Sequence, residues 1–290
     1  MLELNKIINQ VICGDCEDIL KQCPESFIQH IFTSPVYADT ENKYNNGYKG
    51  PSPDKYTDWI LPKIKQFARV LKNDGSFILN IDNKVEKNGF ESIYVYDLVC
   101  RIVRETDFRL FDSLIWHKGK FLPLKNRFGN QSEFLFFFVK QRDFKFNIDA
   151  FRKEYNPISI ARMRRPIKRR FARNQDNQNL TDNYKPWRPN VKGALPGNVI
   201  VCGSESQRIC DTHVACFPVK LCDKFILGCS SESDIIMDPF CGTGSCLVSA
   251  KKNGRNFIGI DISEEYVNFS INRLNSTDLP LDQNLVAKME

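Results

Sequence analysis

The chain lacks an apolar run long enough to cross a membrane. Its strongly apolar segment 134–139 is far shorter than the roughly 20 residues that a membrane-spanning helix needs. The first residues also lack the basic-then-apolar order of a signal peptide. With 42% hydrophobic and 26% charged residues over 290 positions, the composition is that of an ordinary globular protein. These absences predict a cytoplasmic protein.

A complete metal-binding cysteine pattern is also missing. The chain has 11 cysteines, and one Cys-x-x-Cys pair, Cys13 and Cys16, stands without a second pair or a histidine pair to complete a zinc site. We therefore predict no metal and mostly buried, reduced thiols. We interpret the pair as a strand-to-helix turn with two packed thiols, and a redox role is the alternative.

Positive charge is concentrated in one segment. The whole chain carries a net charge of +6, whereas residues 140–190 alone contain 14 Lys or Arg against 5 Asp or Glu. Such asymmetry favours an anionic partner, with nucleic acid first, and a solvated basic loop is the alternative. The residues expected to bind nucleic acid are Arg162, Arg164, Arg165, Lys168, Arg169, Arg170 and Arg173.

Apolar segments of strand and helix type alternate along much of the chain, which predicts an α/β fold with a mainly parallel, doubly wound sheet. Predicted strands cover 7–13, 28–33, 76–81, 109–116, 133–139, 198–201, 234–237 and 256–260. Predicted helices cover 15–22, 57–71, 92–105, 217–227, 245–253 and the stretch from the N-cap Ser263 to Leu274. Asn73-Asp74-Gly75 is predicted to stop the second helix.

Two segments depart from this alternation. Residues 38–55 are rich in Asn, Gly, Tyr, Asp and Pro and predict a long irregular loop, which inside a compact domain is usually functional. In residues 140–195 prolines interrupt a weak pattern, which indicates an inserted region. The predicted division is therefore 1–139, 140–195 and 196–290.

The string Asp238-Pro239-Phe240-Cys241-Gly242-Thr243-Gly244 lies between a predicted strand and a predicted helix. Its glycines permit a tight turn and close approach of a ligand to the backbone. Asp261, at the end of the next strand, is suited to accept hydrogen bonds from ribose hydroxyls. The third glycine of GxGxxG and the GK[ST] of a phosphate-binding loop are absent, which favours an adenosyl ligand over a nicotinamide or a phosphate. A turn that binds nothing is the alternative.

A second string, Thr33-Ser34-Pro35-Val36-Tyr37, follows a predicted strand. Ligands of open α/β sheets bind at the carboxyl ends of strands, so this string occupies a position suited to chemistry. Taken alone, it also fits an ordinary strand-to-loop turn with a packed tyrosine.

Together the two strings resemble the motifs of S-adenosylmethionine (SAM) dependent amino-methyltransferases. The first resembles the FxGxG cofactor loop, and Ser34-Pro35-Val36-Tyr37 resembles the (D/N/S)PP(Y/F/W) catalytic motif with Val36 in place of the second proline. The order of catalytic motif, basic region and cofactor motif is similar to that of the permuted beta class of DNA amino-methyltransferases. The resemblance covers nearly the whole chain except about 140–195, where that class has its target-recognition region, and it implies a Rossmann-like fold.

The resemblance also implies roles for individual residues, with SAM as the cofactor. Ser34 Oγ and the Pro35 carbonyl would accept hydrogen bonds from the target amino group, and Tyr37 would stack on a base flipped out of the duplex. The residues expected to bind the cofactor are Asp15, Cys16, Thr33, His213, Phe217, Asp238, Phe240, Gly242, Thr243, Gly244, Asp261 and Ile262.

Serine in the first motif position is typical of the cytosine-N4 enzymes, whereas aspartate is typical of adenine-N6 enzymes. The resemblance thus predicts a cytosine-N4 methyltransferase of double-stranded DNA, functionally paired with a restriction endonuclease and acting as a monomer or homodimer. Adenine-N6 methylation is one alternative. A DNA-binding regulator with a degenerate SAM fold is the non-enzymatic alternative.

Overall fold

A computed structural model describes residues 3–40, 50–119, 123–163, 189–203 and 218–277. The strands in these ranges are β1 (Gln10–Cys13), β2 (Ile28–Thr33), β3 (Leu71–Ile81), β4 (Arg109–His117), β5 (Ser132–Val139), β6 (Val199–Val201), β7 (Ile235–Asp238) and β8 (Asn256–Asp261). The helices are α1 (Cys16–Lys21), α2 (Pro53–Val70), α3 (Tyr94–Glu105), α4 (Pro157–Met163), α5 (Val219–Cys229), α6 (Ser245–Lys252) and α7 (Glu264–Asn275). None of these helices combines the length and the apolar character required to cross a bilayer.

The described strands form one mixed sheet in the order β1-β8-β7-β2-β3-β5-β4-β6. The first five of these strands are mutually parallel, β5 lies antiparallel between β3 and β4, and β6 is parallel to β4. The predicted α/β fold with a mainly parallel sheet is therefore confirmed.

Helices cover both faces of the sheet because its inner strands are apolar on both sides. In β5, Phe136 and Phe138 pack into the core under α1, α2 and α3, whereas Leu135 and Phe137 pack into the core under α5, α6 and α7. This alternation follows from the two-residue period of a strand. Each fully buried side chain of this size contributes roughly 1.5–3 kcal/mol of hydrophobic stabilisation.

Two predicted boundaries near the start of the chain are wrong. The strand predicted over 7–13 begins only at Gln10, because a short 3-10 helix at Leu4–Lys6 is followed by a turn over residues 7–9. Helix α2 begins at Pro53 rather than at residue 57, so the predicted irregular loop 38–55 overlaps its first turn. Proline suits that position, because the first helical residue needs no hydrogen-bonded N–H.

Asn73-Asp74-Gly75 was predicted to form a turn between a helix and the next strand. This prediction is wrong, because these residues lie inside β3. Ile28 pairs with Leu71 and His30 with Ser76, so the extra residues of β3 form a bulge against β2. A Cβ added at Gly75 would lie 2.8 Å from the Gln29 carbonyl oxygen, which is closer than side chains tolerate. The glycine therefore serves a close backbone approach inside the strand.

Part of the basic segment belongs to the core packing. The ring of Phe144 lies 5.7 Å from Phe137 of β5, and the ring of Phe151 lies 5.2 Å from Phe225 of α5. These aromatic residues attach the chain after β5 to the face covered by α5. The three-part division at residues 139 and 195 stays a prediction.

Candidate active site

The strand order brings the predicted motifs to one edge of the sheet. Strands β1, β8, β7 and β2 are parallel neighbours, so their carboxyl ends lie side by side. Asp15 follows β1, Asp261 ends β8, Asp238 ends β7 and Ser34 follows β2. Residues that are far apart in sequence thus line a common edge.

A direct hydrogen bond joins the two motifs. Thr33 Oγ1 donates to Asp238 Oδ1 over 2.6 Å, and both side chains are fully buried. The same carboxylate oxygen accepts from the backbone N–H of Phe240 at 3.2 Å. The end of β2, which leads into the predicted catalytic loop (residues 34–37), is therefore fixed to the start of the predicted cofactor loop (residues 239–244) across 205 sequence positions.

Asp238 also has an electrostatic feature typical of functional sites. Burial raises its pKa to about 7, the hydrogen bonds from Thr33 and Phe240 act in the opposite direction, and the Asp261 charge adds to the rise. Its Oδ2 atom is buried and has no hydrogen-bond partner among the described residues. An unpartnered buried acceptor at this junction fits a site that receives a polar ligand group.

The raised pKa of Asp238 predicts a pH-dependent stability. Between the ordinary value of 3.8 and about 7 the folded chain holds a proton that the unfolded chain has released, so stability falls as the pH rises. Asp238→Asn should remove this loss and raise the free energy of unfolding near neutral pH by up to about 4 kcal/mol. Urea denaturation of both proteins from pH 4 to 8 measures the difference. Curves that stay parallel over this range would contradict the assignment.

The cofactor loop is closed by Asp261. Its Oδ2 accepts from the backbone N–H of Gly242 and its Oδ1 from that of Ser263, both at 2.9 Å. Gly242 and Gly244 have φ values of 49° and 75°, a left-handed conformation that side chains disfavour. Burial raises the pKa of Asp261. The visible role of Asp261 is to hold the tight turn against β8.

Three further residues predicted to bind the cofactor, Phe240, Ile262 and Cys16, differ in how deeply their side chains are buried. The half-buried ring of Phe240 lies 6.0 Å from Trp59 and 6.4 Å from Phe67, which are both on α2. The Ile262 side chain is 53% exposed beside the turn. The Cys16 thiol is buried in the core, and burial raises its pKa to about 12.

The turn after β1 lies next to Asp261, as the strand pairing requires. The backbone N–H of Gly14 donates to the Asp261 carbonyl oxygen at 2.9 Å. The Cys13 and Cys16 pair is a strand-to-helix turn as predicted, but Cys13 is exposed, so the prediction of two packed thiols is wrong. Cys13 ends the sheet-edge strand β1, and its thiol donates to the Ile262 carbonyl oxygen at 3.8 Å.

Asp15 is tied down by a lysine that the sequence did not single out. Lys63 Nζ lies 2.8 Å from both carboxylate oxygens of Asp15, and Asp15 also accepts from the backbone N–H of Glu17 as the N-cap of α1. The Lys63 side chain is only 7% exposed. Burial lowers the pKa of Lys63, but the hydrogen bond with Asp15 and the charges of nearby groups, including Asp15 and Glu17, together outweigh burial, and the net direction is upward. In the sequence, this contact is indicated by a lysine that lies on the buried face of α2.

The catalytic loop is held by tyrosines. Tyr56 of α2 donates to the Val36 carbonyl oxygen at 2.7 Å, which fixes the loop to α2. Tyr37 Oη donates to Glu133 Oε2 at 2.8 Å, and Ser34 Oγ donates to Tyr37 Oη at 3.4 Å. Burial and the Glu133 charge raise the pKa of Tyr37 well above its ordinary range, so its hydroxyl stays protonated.

Three polar residues around Tyr37 were missed by sequence reasoning. Asn80 of β3 donates to Glu133 Oε2 at 3.0 Å, and Lys118, just after β4, donates to Glu133 Oε1 at 2.8 Å. Asn80 lies within the apolar half of β3, and Glu133 directly precedes the apolar run of β5; these polar positions were the sequence signal. Their convergence on the catalytic loop depends on strand register, which the sequence does not display.

Several predicted residues lie outside the described part of the chain. These are His213 and Phe217 of the cofactor set and Arg164, Arg165, Lys168, Arg169, Arg170 and Arg173 of the basic set. Arg162 lies on α4, where only its backbone is described.

The fold and the joined motifs define a methyltransferase-like site, and comparison with known proteins gives its family. The family model for N6 and N4 DNA methylases matches residues 28–272. The chain therefore belongs to the DNA methylase family, as predicted from its motifs, and it is a DNA methyltransferase of the N4/N6 type.

Curated relatives span nearly the same length. The type II methyltransferase M1.MboII of Moraxella bovis is 27% identical over 94% of this chain and 99% of its own. The DNA adenine methyltransferase YhdJ of Escherichia coli (strain K12) is 27% identical over 91% of this chain and 82% of its own.

Solved structures share the fold. The cytosine-N4-specific PvuII DNA methyltransferase matches with a TM-score of 0.69 at 21% identity and covers 96% of this chain and 90% of its own. A DNA modification methylase from Thermus thermophilus, solved with S-adenosyl-L-methionine, matches with a TM-score of 0.59 at 18% identity over 92% and 94% of the two chains.

Proposed function

We propose that this protein transfers a methyl group from SAM to the exocyclic N4 of a flipped cytosine in double-stranded DNA. The observation that carries the proposal is the bond between Thr33 and Asp238, which places Ser34 beside the cofactor loop. Serine at the head of the catalytic motif favours cytosine. The structural likeness to the cytosine-N4-specific PvuII enzyme supports the same base.

The residues at the sheet edge fit SAM, which when bound supplies an electrophilic methyl group. Gly242 and Gly244 give the turn after β7 the tight left-handed form that the family motif requires, and Asp15, held by Lys63, lies in the turn after the strand at the edge of the same sheet. Asp238 adds an unpartnered buried oxygen at the junction of the two motifs. The family motifs and the likeness to a methylase solved with SAM support this cofactor.

Ser34 and Pro35 act on the amino group of the base. Two acceptors beside the NH₂ turn its lone pair out of conjugation with the ring and aim it at the methyl donor. Tyr37, whose hydroxyl is tied to Glu133, offers its ring to the flipped base. Flipping is required because a paired base keeps its amino group inside the duplex.

The basic segment supplies the contacts with the DNA. Its Arg and Lys residues neutralise phosphates and fix the position of the duplex, and a few reach base edges and select the sequence. A cognate restriction endonuclease would cut the same site when it is unmethylated. The likeness to the type II methyltransferase M1.MboII supports this pairing.

Methylation of plasmid DNA with isotopically labelled SAM tests the proposed function. After digestion to nucleosides, mass spectrometry is expected to show labelled N4-methylcytosine. Labelled N6-methyladenine would instead establish the alternative that the likeness to the adenine enzyme YhdJ supports. The absence of methyl transfer to any DNA would favour the alternative of a DNA-binding regulator with a degenerate SAM fold.

A further inference from the structure

The side chains behind Ser34 form a continuous hydrogen-bonded chain that ends at a carboxylate. Ser34 Oγ donates to Tyr37 Oη at 3.4 Å, and Tyr37 Oη has acceptors at 2.8 Å in Glu133 and at 3.3 Å in Asn80. The single phenol proton is directed to Glu133, because that contact is shorter and its acceptor is charged. Every donor in this chain therefore points away from the place of the target base.

Methylation of an aryl amine creates a proton that must leave. The nitrogen gains positive charge as it bonds to the methyl group, so its N–H becomes strongly acidic within the same transition state. Ser34 Oγ and the Pro35 carbonyl can accept a hydrogen bond from it, but neither group can retain a proton. A carboxylate connected to Ser34 solves this problem without water in the pocket.

We propose that Ser34, Tyr37 and Glu133 conduct this proton from the methylated base to solvent. The proposal rests on the function proposed above. The lone pair of the amine forms the N–C bond. The C–S bond breaks at the same time, and the electron pair of the C–S bond stays on sulfur. As the N–C bond forms, the amine proton passes to Ser34 Oγ, the Ser34 proton to Tyr37 Oη and the Tyr37 proton to Glu133 Oε2, so the proton transfer belongs to the rate-determining step.

The surroundings of Glu133 suit the end of such a path. Its side chain is 14% exposed, so it can return the proton to water. Lys118 binds its other oxygen and Asn80 donates to the same oxygen as Tyr37, which keeps the carboxylate in place. The other titratable groups here are His117 on β4 and Asp82 just after β3, and burial raises the pKa of Asp82 to about 6. Asp82 is therefore a competing proton acceptor, and the experiment must distinguish it from Glu133.

Single-turnover methyl transfer, with saturating SAM and DNA, tests the path in Tyr37→Phe and Glu133→Gln. Each variant is expected to lower the rate by about 100-fold, the usual size of a lost proton-transfer group. The double variant should be no slower than either single one, because both residues belong to one chain. The wild-type rate should rise with pH and fall in D₂O, and both responses should disappear in the variants.

Two further measurements separate proton transfer from positioning. DNA affinity, and base flipping measured by 2-aminopurine fluorescence at the target position, should stay at the wild-type level in both variants. Tyr56→Phe is the matched control, because it removes a phenol that binds the same loop at the Val36 carbonyl. Any rate loss in this control should leave the pH and D₂O responses intact.

Three results would overturn the proposal. Tyr37→Phe could retain the wild-type rate and pH response, the variants could lose flipping instead of chemistry, or Asp82→Asn could remove the pH response while Glu133→Gln keeps it. If the wild-type protein methylates no DNA, the proposed function itself fails. A wild-type enzyme with unaffected variants refutes the proton path alone.

Discussion

Replacement of Ser34 by alanine is expected to lower the rate of methyl transfer to DNA by about 100- to 1,000-fold, as for a lost transition-state hydrogen bond. Ser34 Oγ is the side-chain acceptor at the head of the catalytic loop, and its own proton is already directed to Tyr37. The variant leaves the amino group with the Pro35 carbonyl as its remaining acceptor. Its lone pair is then poorly aligned with the methyl donor.

The affinity for SAM should stay within about two-fold in Ser34→Ala, because the cofactor loop is closed by Asp261 and not by Ser34. Isothermal titration with SAM and a labelled-methyl assay measure the two effects separately. Ser113→Ala, at an exposed position on β4, provides a matched control with wild-type activity. A Ser34→Ala enzyme with the wild-type rate would remove Ser34 from the catalytic site.

Replacement of Asp261 by alanine is expected to lower the affinity for SAM by about 100-fold. The substitution leaves the backbone N–H groups of Gly242 and Ser263 without their partner. Each unsatisfied group costs about 1–3 kcal/mol, and the left-handed turn that Asp261 holds relaxes. Asp261→Asn keeps one acceptor oxygen and should lose less affinity than the alanine variant.

Isothermal titration with SAM measures this effect, with thermal unfolding as a check on the fold. Asp234→Ala is the control, because Asp234 lies before β7 at the opposite edge of the sheet and binds Lys145 at 2.6 Å. That variant should lose stability and keep its SAM affinity. Unchanged affinity in Asp261→Ala would show that the closed turn is not what binds the cofactor.

Local sequence signals predicted the elements whose limits are set by local chemistry. The strand 28–33 was predicted with its observed limits, since an apolar run there ends at Ser34 and Pro35. The turn after β7 and the N-cap position of Ser263 were likewise predicted, because glycine and capping residues act within a few positions. These signals were enough to predict that the two motifs lie together at the carboxyl ends of their strands.

Contacts between strands and helices could not be predicted in the same way. Glu133 meets Tyr37 only because β5 pairs with β3 in a register that places Asn80 opposite Leu135. Lys63 reaches Asp15 because α2 packs beside α1. The residues around Gly75 were predicted to end a helix, but they form a bulge in β3. The two cannot be told apart from the sequence, because the residues that favour a turn also favour a break in strand pairing.

The bond between Thr33 and Asp238 has a consequence for synthesis. The nascent chain presents Ser34 and Tyr37 early, but β7 and β8, which lie beside β2 and β1, are made about 200 residues later. At ~5–20 residues per second, the gap of about 200 residues lasts roughly 10–40 s. During that time the catalytic loop lacks the neighbouring strand that holds it, so methylating capacity arises only after β7 and β8 have been made.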